Sequence, residues 1–116
     1  MGLVDPTQQL LEAAMRGAWQ RQTALTNNLA NADTPGYSPE EVDFESTLKD
    51  ALNSGRPLEA TQFTVQQEPS QAGPNGAGVS VDEESAKLAE NALDYEALEQ
   101  VVSTRNSILK AAMGVS

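Results

Sequence analysis

The sequence has neither cysteine nor histidine, and its aromatic share is only 4%. Without those two residue types there is no Ser-His or Cys-His nucleophile pair, no disulfide framework and no usual zinc or iron ligand set. The low aromatic content and a hydrophobic share of 39% over 116 residues promise a thin core. With no cross-link or metal to compensate, a partner is the remaining source of order. Positive charge is scarce as well: seven Lys and Arg against seventeen Asp and Glu give a formal net charge of −10 at pH 7. That balance disfavours nucleic acid and anionic membrane surfaces, and points to proteins as partners. No window reaches the apolar length of a membrane span. No basic stretch followed by an apolar run marks a cleaved secretory signal at the N-terminus, and Pro6 occupies the place where a myristoylation motif needs Ser or Thr. A soluble protein is expected, and any export would use a route that does not read such a signal.

What is present is helix signal at both ends. Asp5 followed by Pro6, with Gln8 placed to reach back, forms a helix start. Leu11, Met15, Ala18, Leu25, Leu29 and Ala32 then recur at steps of four and three, interrupted only at Gln22, as in the seam of a two-helix coiled coil. A helix from Pro6 to about Ala32 would be on the order of 40 Å long at ~1.5 Å per residue. It must end near Thr34, because Pro35 biases its predecessor away from helix and Gly36 readily takes positive φ, giving a type II turn. Ser38, Pro39 and Glu41 read as a second capping box, opening a short helix with Phe44, Leu48 and Leu52 on one face and a stop at Gly55.

From Arg56 to Gly78 the helical pattern disappears. Phe63 and Val65 alternate with polar residues, as in one short strand, and residues 68–78 have the Pro, Gly, Ser, Gln and Asn content of a flexible connector. The last helix starts at Ser80 with Glu83 three residues on, and Asp82, Glu83 and Glu84 complement the helix dipole. Leu88, Ala92, Tyr95, Leu98, Val102, Leu109 and Ala112 line one side, and Gly114 ends it. The expected fold is therefore mainly α. Long N- and C-terminal helices (residues 1–34 and 80–116) form a coiled-coil-like pair, a turn and short helix occupy 35–55, and a flexible, one-stranded connector spans 56–79. The two seams can meet in an antiparallel hairpin or between subunits.

No constellation supports catalysis. Adjacent carboxylates such as Glu40 with Glu41, or Asp82 with Glu83, sit at helix starts, where dipole complementation explains them. Calcium-loop spacing and phosphate-cradling glycine loops are absent, so no catalytic, cofactor or metal site is expected. Trp19 reads as partial packing, and the acidic clusters as solvated helix faces. The unusual stretch is the first helix end, where Asn27, Asn28 and Asn31 compete with the helix for backbone hydrogen bonds. It is equally consistent with a plain helix stop and with a contact surface.

The run Asn28-Leu29-Ala30-Asn31-Ala32-Asp33-Thr34-Pro35-Gly36-Tyr37 resembles the signature of the flagellar rod and hook axial protein family, in which Asn-x-x-Asn leads into Thr-x-Gly-Tyr. Val42-Asp43-Phe44-Glu45 with Leu48, and the run from Leu88 through Asn91 and Tyr95 to Leu98, look like the proximal-rod branch of that family, the FlgB type. The sister FlgC type commonly carries Thr-Thr-Gly-Tyr and lacks the Asp-Phe-Glu element. One departure precedes the last helix: Asn75 and Gly76 are separated from Val79 by Ala77 and Gly78, where family members often have Gly-Asn followed directly by Val.

The resemblance implies a non-enzymatic, self-assembling subunit of the proximal rod. Its terminal helices would form the wall of the drive shaft and export channel in the cell envelope, after export through the flagellar type III system without signal cleavage. Implied partners are other rod subunits of the FlgB, FlgC, FlgF and FlgG types, FliE, the basal-body ring and the export gate. The isolated monomer is expected to be loosely ordered. Asn28, Asn31, Thr34, Pro35, Gly36 and Tyr37 are the expected assembly motif. A FlgC-like rod protein and a cytoplasmic helical adaptor or secretion chaperone are the alternatives.

Overall fold

A computed structural model describes residues 6–58, 61–67 and 79–114. In chain order it contains helix α1 (Pro6–Ala30), strand β1 (Glu40–Val42), helix α2 (Phe44–Ser54), strand β2 (Val65–Gln67) and helix α3 (Val81–Ala112). The shape is a rod of 62 × 31 × 15 Å. The mainly helical architecture expected from the seams is present, with the two long terminal helices packed on each other. Asn28 meets Glu84, Ala18 and Gln22 meet Asn91, and Gln8 meets Arg105, so α1 and α3 run antiparallel.

The helix ends follow local chemistry. The hydroxyl of Ser80 accepts from the amide of Glu83 at 3.3 Å, which caps α3 where the sequence places its start. Gly55 takes φ 73° at the end of α2, and Gly114 takes φ 74° after α3. Helix α1 ends at Ala30, a little earlier than expected, and continues as tight turns through Asp33. The Asp5 cap and the connector at 68–78 lie outside the described residues.

The middle segment differs from expectation in two ways. Ser38, Pro39 and Glu41 do not start a helix. Glu40–Val42 is instead a strand, paired antiparallel with Val65–Gln67 in the register Glu40 to Gln67 and Val42 to Val65. The single strand read around Phe63 and Val65 is thus half of a two-stranded sheet. Helix α2 begins at Phe44, capped by Asp43, whose carboxylate accepts from the amide of Ser46 at 3.3 Å. A strand at 40–42 prevails because its backbone groups find partners on α1 and β2 that a helix start would leave to water.

The core is centred where α1 meets the sheet and α2, with Tyr95 and Leu98 of the α3 seam packed against it. Ala13, Ala18 and Ala24 of α1 meet Val42, Phe44, Leu48, Ala51, Leu58 and Phe63, with the Phe44 and Phe63 rings edge to face at 6.0 Å. Alanines on α1 let this small sheet and α2 approach closely, which is how a chain with few aromatics closes a core. Ala18 and Leu25 of the N-terminal seam are buried, whereas Leu11, Met15 and Leu29 are half-buried. Across from them Leu88, Ala92, Tyr95, Leu98 and Val102 are half-buried, while Leu109 and Ala112 at the end of the same stripe are exposed. The fully buried residues of α3 are the polar Glu84 and Asn91. Trp19 is 63% exposed, with its ring centroid 6.3 Å from that of Tyr95.

Candidate assembly junction

Asn28 stands at the end of α1, where the helix, the following turn, β1 and α3 converge, and it is 1% exposed. Its Oδ1 accepts from the amide of Glu40 at 2.7 Å and from the hydroxyl of Tyr37 at 3.1 Å. Its Nδ2 donates to the carbonyl of Glu40 at 2.9 Å and to Oε2 of Glu84 at 3.3 Å. Both amide hydrogens and both carbonyl lone pairs are thereby used. The pair of bonds to Glu40 copies a strand partner, so the side chain of a helical residue anchors one end of the sheet.

The neighbouring asparagines complete the helix stop. Asn31 donates to the carbonyl of Asn27 at 2.9 Å and accepts from the hydroxyl of Thr34 at 3.1 Å. Asn27 donates to Oε1 of Glu40 at 3.2 Å. The amide of Tyr37 closes on the carbonyl of Thr34 at 3.2 Å around Gly36, whose φ is 78°. This is the turn the Pro-Gly pair foretells. Thr34, Pro35 and Gly36 are exposed, and Tyr37 is half-buried. Burial, with the charges of Glu40 and Glu84 nearby, pushes the Tyr37 phenol above its ordinary value. The junction therefore has a buried polar centre at Asn28 and an exposed tip at residues 34–36.

A second anchor, invisible in the sequence, is Arg21. Its Nε and one terminal nitrogen donate to the carbonyl of Val42 at 3.1 and 2.8 Å. The guanidinium also forms a two-point pair with Glu45 at 2.5 and 2.9 Å. It lies 4.4 Å from the centroid of the Phe44 ring. Arg21 thus holds the end of β1, the first turn of α2 and the core aromatic together. The same ring packs on Gly17, where an added methyl would overlap Cβ, Cγ and Cδ2 of Phe44. Here glycine serves close approach rather than a turn.

The third anchor joins the long helices. Asn91, 3% exposed, donates to the carbonyl of Ala18 and to Oε1 of Gln22, both at 2.9 Å. Gln22, the interruption in the apolar stripe, is therefore the partner of a buried polar residue on the other helix. That interruption was the available signal for this site. No comparable signal marks Arg21, Gly17 or Glu84, whose partners lie far away in the chain.

Among the described residues, no group of His, Cys, Asp and Glu is placed to hold a metal ion, and no helix is long and apolar enough to cross a membrane. A groove of about 380 Å³ between β1 and α3 is lined by Arg21, Glu40, Glu84, Lys87 and Asn91. Of these, Arg21, Glu40, Glu84 and Asn91 belong to the anchors described above, and Lys87 pairs with Glu84 at 3.8 Å.

The family model described as flagella basal body rod protein matches residues 11–37, which hold most of α1 and the stretch from Asn28 to Tyr37. The flagellar basal body rod protein FlgB of Bacillus subtilis is 31% identical over 97% of this chain and 97% of its own length. FlgB of Salmonella typhimurium is 30% identical over 97% of this chain and 94% of its own, and FlgB of Escherichia coli is 31% identical over 80% and 82%. These relatives favour the rod reading over the adaptor and sister-rod alternatives. With that identity carried over nearly the full length of both chains, this chain belongs to the FlgB family of flagellar basal body rod proteins.

Proposed function

We propose that this chain is a structural subunit of the proximal rod, where its helical hairpin forms part of the wall of the drive shaft and export channel. The observation that carries this reading is the junction itself. Asn28 fixes the end of α1, β1 and α3 relative to one another, so that the exposed tip at residues 34–36 is presented in one orientation to a neighbour. Asn28, Asn31 and Tyr37 hold the tip; Thr34, Pro35 and Gly36 make the axial contact.

The partners are other rod subunits, with FliE, the basal-body ring and the export gate at the base. Copies reach their place through the flagellar type III channel without signal cleavage. The absence of cysteine and the alanine-rich core suit a chain that must be loosely ordered in transit and gains stability by burial on assembly. Deletion of the gene and complementation with the parent chain tests the role. Loss of swimming, with no rod or hook formed beyond the ring, supports it; normal swimming in the deletion strain refutes it.

A further inference from the structure

Asn91 is buried, yet only half of its amide is used. Its Nδ2 donates to the carbonyl of Ala18 and to Gln22 on α1, whereas Oδ1 is buried with no hydrogen-bond partner. A buried acceptor left unpaired costs stability, so native chains seldom keep one without a ligand or water to fill it. Asn91 lines the groove between β1 and α3, while Ala18 and Gln22 do not. Oδ1 is therefore the end of the amide turned to that groove, where a hydrogen-bond donor would complete it.

The charge of the groove says what kind of donor fits. Five carboxylates line it, against the two cations Arg21 and Lys87. Both cations are engaged: Arg21 with Glu45, which lies outside the groove, and Lys87 with Glu84 at 3.8 Å. Glu90 and Asp94, four residues apart and so on one face of α3, are exposed and form no ion pair among the described residues. Ala24, Leu25, Pro39 and Val42 add an apolar wall that suits the aliphatic stem of a long basic side chain. A volume of about 380 Å³ takes one such side chain rather than a helix.

We infer that the groove receives the arginine side chain of a basic partner protein, its guanidinium held by Oδ1 of Asn91 and the carboxylates of Glu90 and Asp94. A guanidinium carries five donors in one plane and is more weakly hydrated than an ammonium, so a single group serves the buried carbonyl and a carboxylate together. A second copy of this chain is the poorer source, since each copy carries a formal net charge of −10 and repels the next. The inference goes beyond the rod-subunit reading by giving the chemistry of a neighbour that differs from this chain. Only the place of that contact in the basal body rests on the rod reading.

The test titrates the nitrogen-15-labelled full chain with the peptide acetyl-Gly-Arg-Gly-amide and with its lysine and citrulline counterparts, followed by nuclear magnetic resonance. The expected result is a saturable shift of the Asn91 side-chain amide and of the backbone amides of Glu90 and Asp94. The arginine peptide should bind about tenfold or more tightly than the citrulline peptide, and Glu90→Gln with Asp94→Asn should remove about that advantage. Equal binding of the lysine or citrulline peptide would overturn the inference. So would an Asn91 signal that does not move, which would leave the carbonyl to water. A second measurement works in the assembled structure: Glu90→Arg with Asp94→Arg should lower recovery of the chain in purified basal bodies by about tenfold, with helix content by circular dichroism unchanged. The same charge change placed away from the groove, Glu96→Arg with Glu99→Arg, should lower it much less. Undiminished recovery of the first pair, or equal losses from both, would contradict the inference. Absence of the parent chain from basal bodies would instead remove the rod reading and leave the peptide result standing.

Discussion

Asn28 holds Glu40 by both of its backbone groups, accepting from the amide at 2.7 Å and donating to the carbonyl at 2.9 Å. A side chain on a helix thus stands in for a strand, and the remaining bonds tie in Tyr37 and Glu84. Asn28→Asp keeps the shape but turns the donor nitrogen into an acceptor facing a carbonyl and a carboxylate. A loss of about 2–3 kcal/mol is expected in urea unfolding. Glu84→Gln, which keeps an acceptor for Asn28, should cost well under half of that. Equal stability of Asn28→Asp and the parent would show that the node does not hold the junction.

Gly17 sits inside α1, where alanine would ordinarily add about 1 kcal/mol of helix stability. Here its Cβ would collide with the Phe44 ring. Gly17→Ala should therefore destabilise by roughly 1–3 kcal/mol, as overpacking does. Combined with Phe44→Leu it should cost less than the two separate losses added together. Thermal melts of the four proteins give the coupling, and strict additivity would mean that the ring and the glycine are independent.

The Arg21 guanidinium holds the Glu45 carboxyl below the usual carboxylate range, and the hydroxyl of Ser46, together with its amide, does the same for Asp43. Depressed native values mean that the unfolded chain binds the proton first. The contribution is complete above the ordinary carboxylate values, about 4, and is lost as pH falls through the lower native ones. The Glu45 side chain is 61% exposed, so the pair contributes only about 0.2–1 kcal/mol. Glu45→Gln should flatten the stability profile between about pH 5 and 3 relative to the parent, with little change at neutral pH. Identical slopes would count against the clamp.

Gly36 has φ 78° with open space around it, so the obstacle to a side chain there is backbone conformation rather than crowding. Gly36→Val is expected to strain or redirect the tip at residues 34–36 while leaving α1 and α3 intact. Helix content by circular dichroism should be unchanged and swimming strongly reduced. Normal swimming would remove the tip from the axial contact.

Elements set by neighbouring residues were legible in the sequence. Ser80 and Glu83 mark the start of α3, Gly55 and Gly114 mark helix ends, and Pro35 with Gly36 marks the turn. The seams foretold a helical pair, and the antiparallel arrangement was one of the two they allowed. Strand β1 was misread because Ser38, Pro39 and Glu41 satisfy a local capping rule. The forces that override it come from Asn28, twelve residues away, and from β2, beyond α2. Arg21, Gly17 and Asn91 were missed for the same reason, since each owes its role to a partner on another element. In the junction, the sequence singles out Asn28, Asn31 and residues 34–37, but not Glu40 and Glu84, to which Asn28 is bonded. It did not reveal that Asn28 faces inward while residues 34–36 face out.

The most direct measurement is a cryo-electron map of basal bodies purified from cells expressing the chain, at a resolution that shows helices in the proximal rod. The expected map places an antiparallel α1 and α3 hairpin in the wall, with the tip at residues 34–36 against the next copy or the neighbouring rod subunit. Basal bodies with a complete proximal rod that lacks this chain, with the protein recovered instead in the cytoplasmic fraction, would contradict the account.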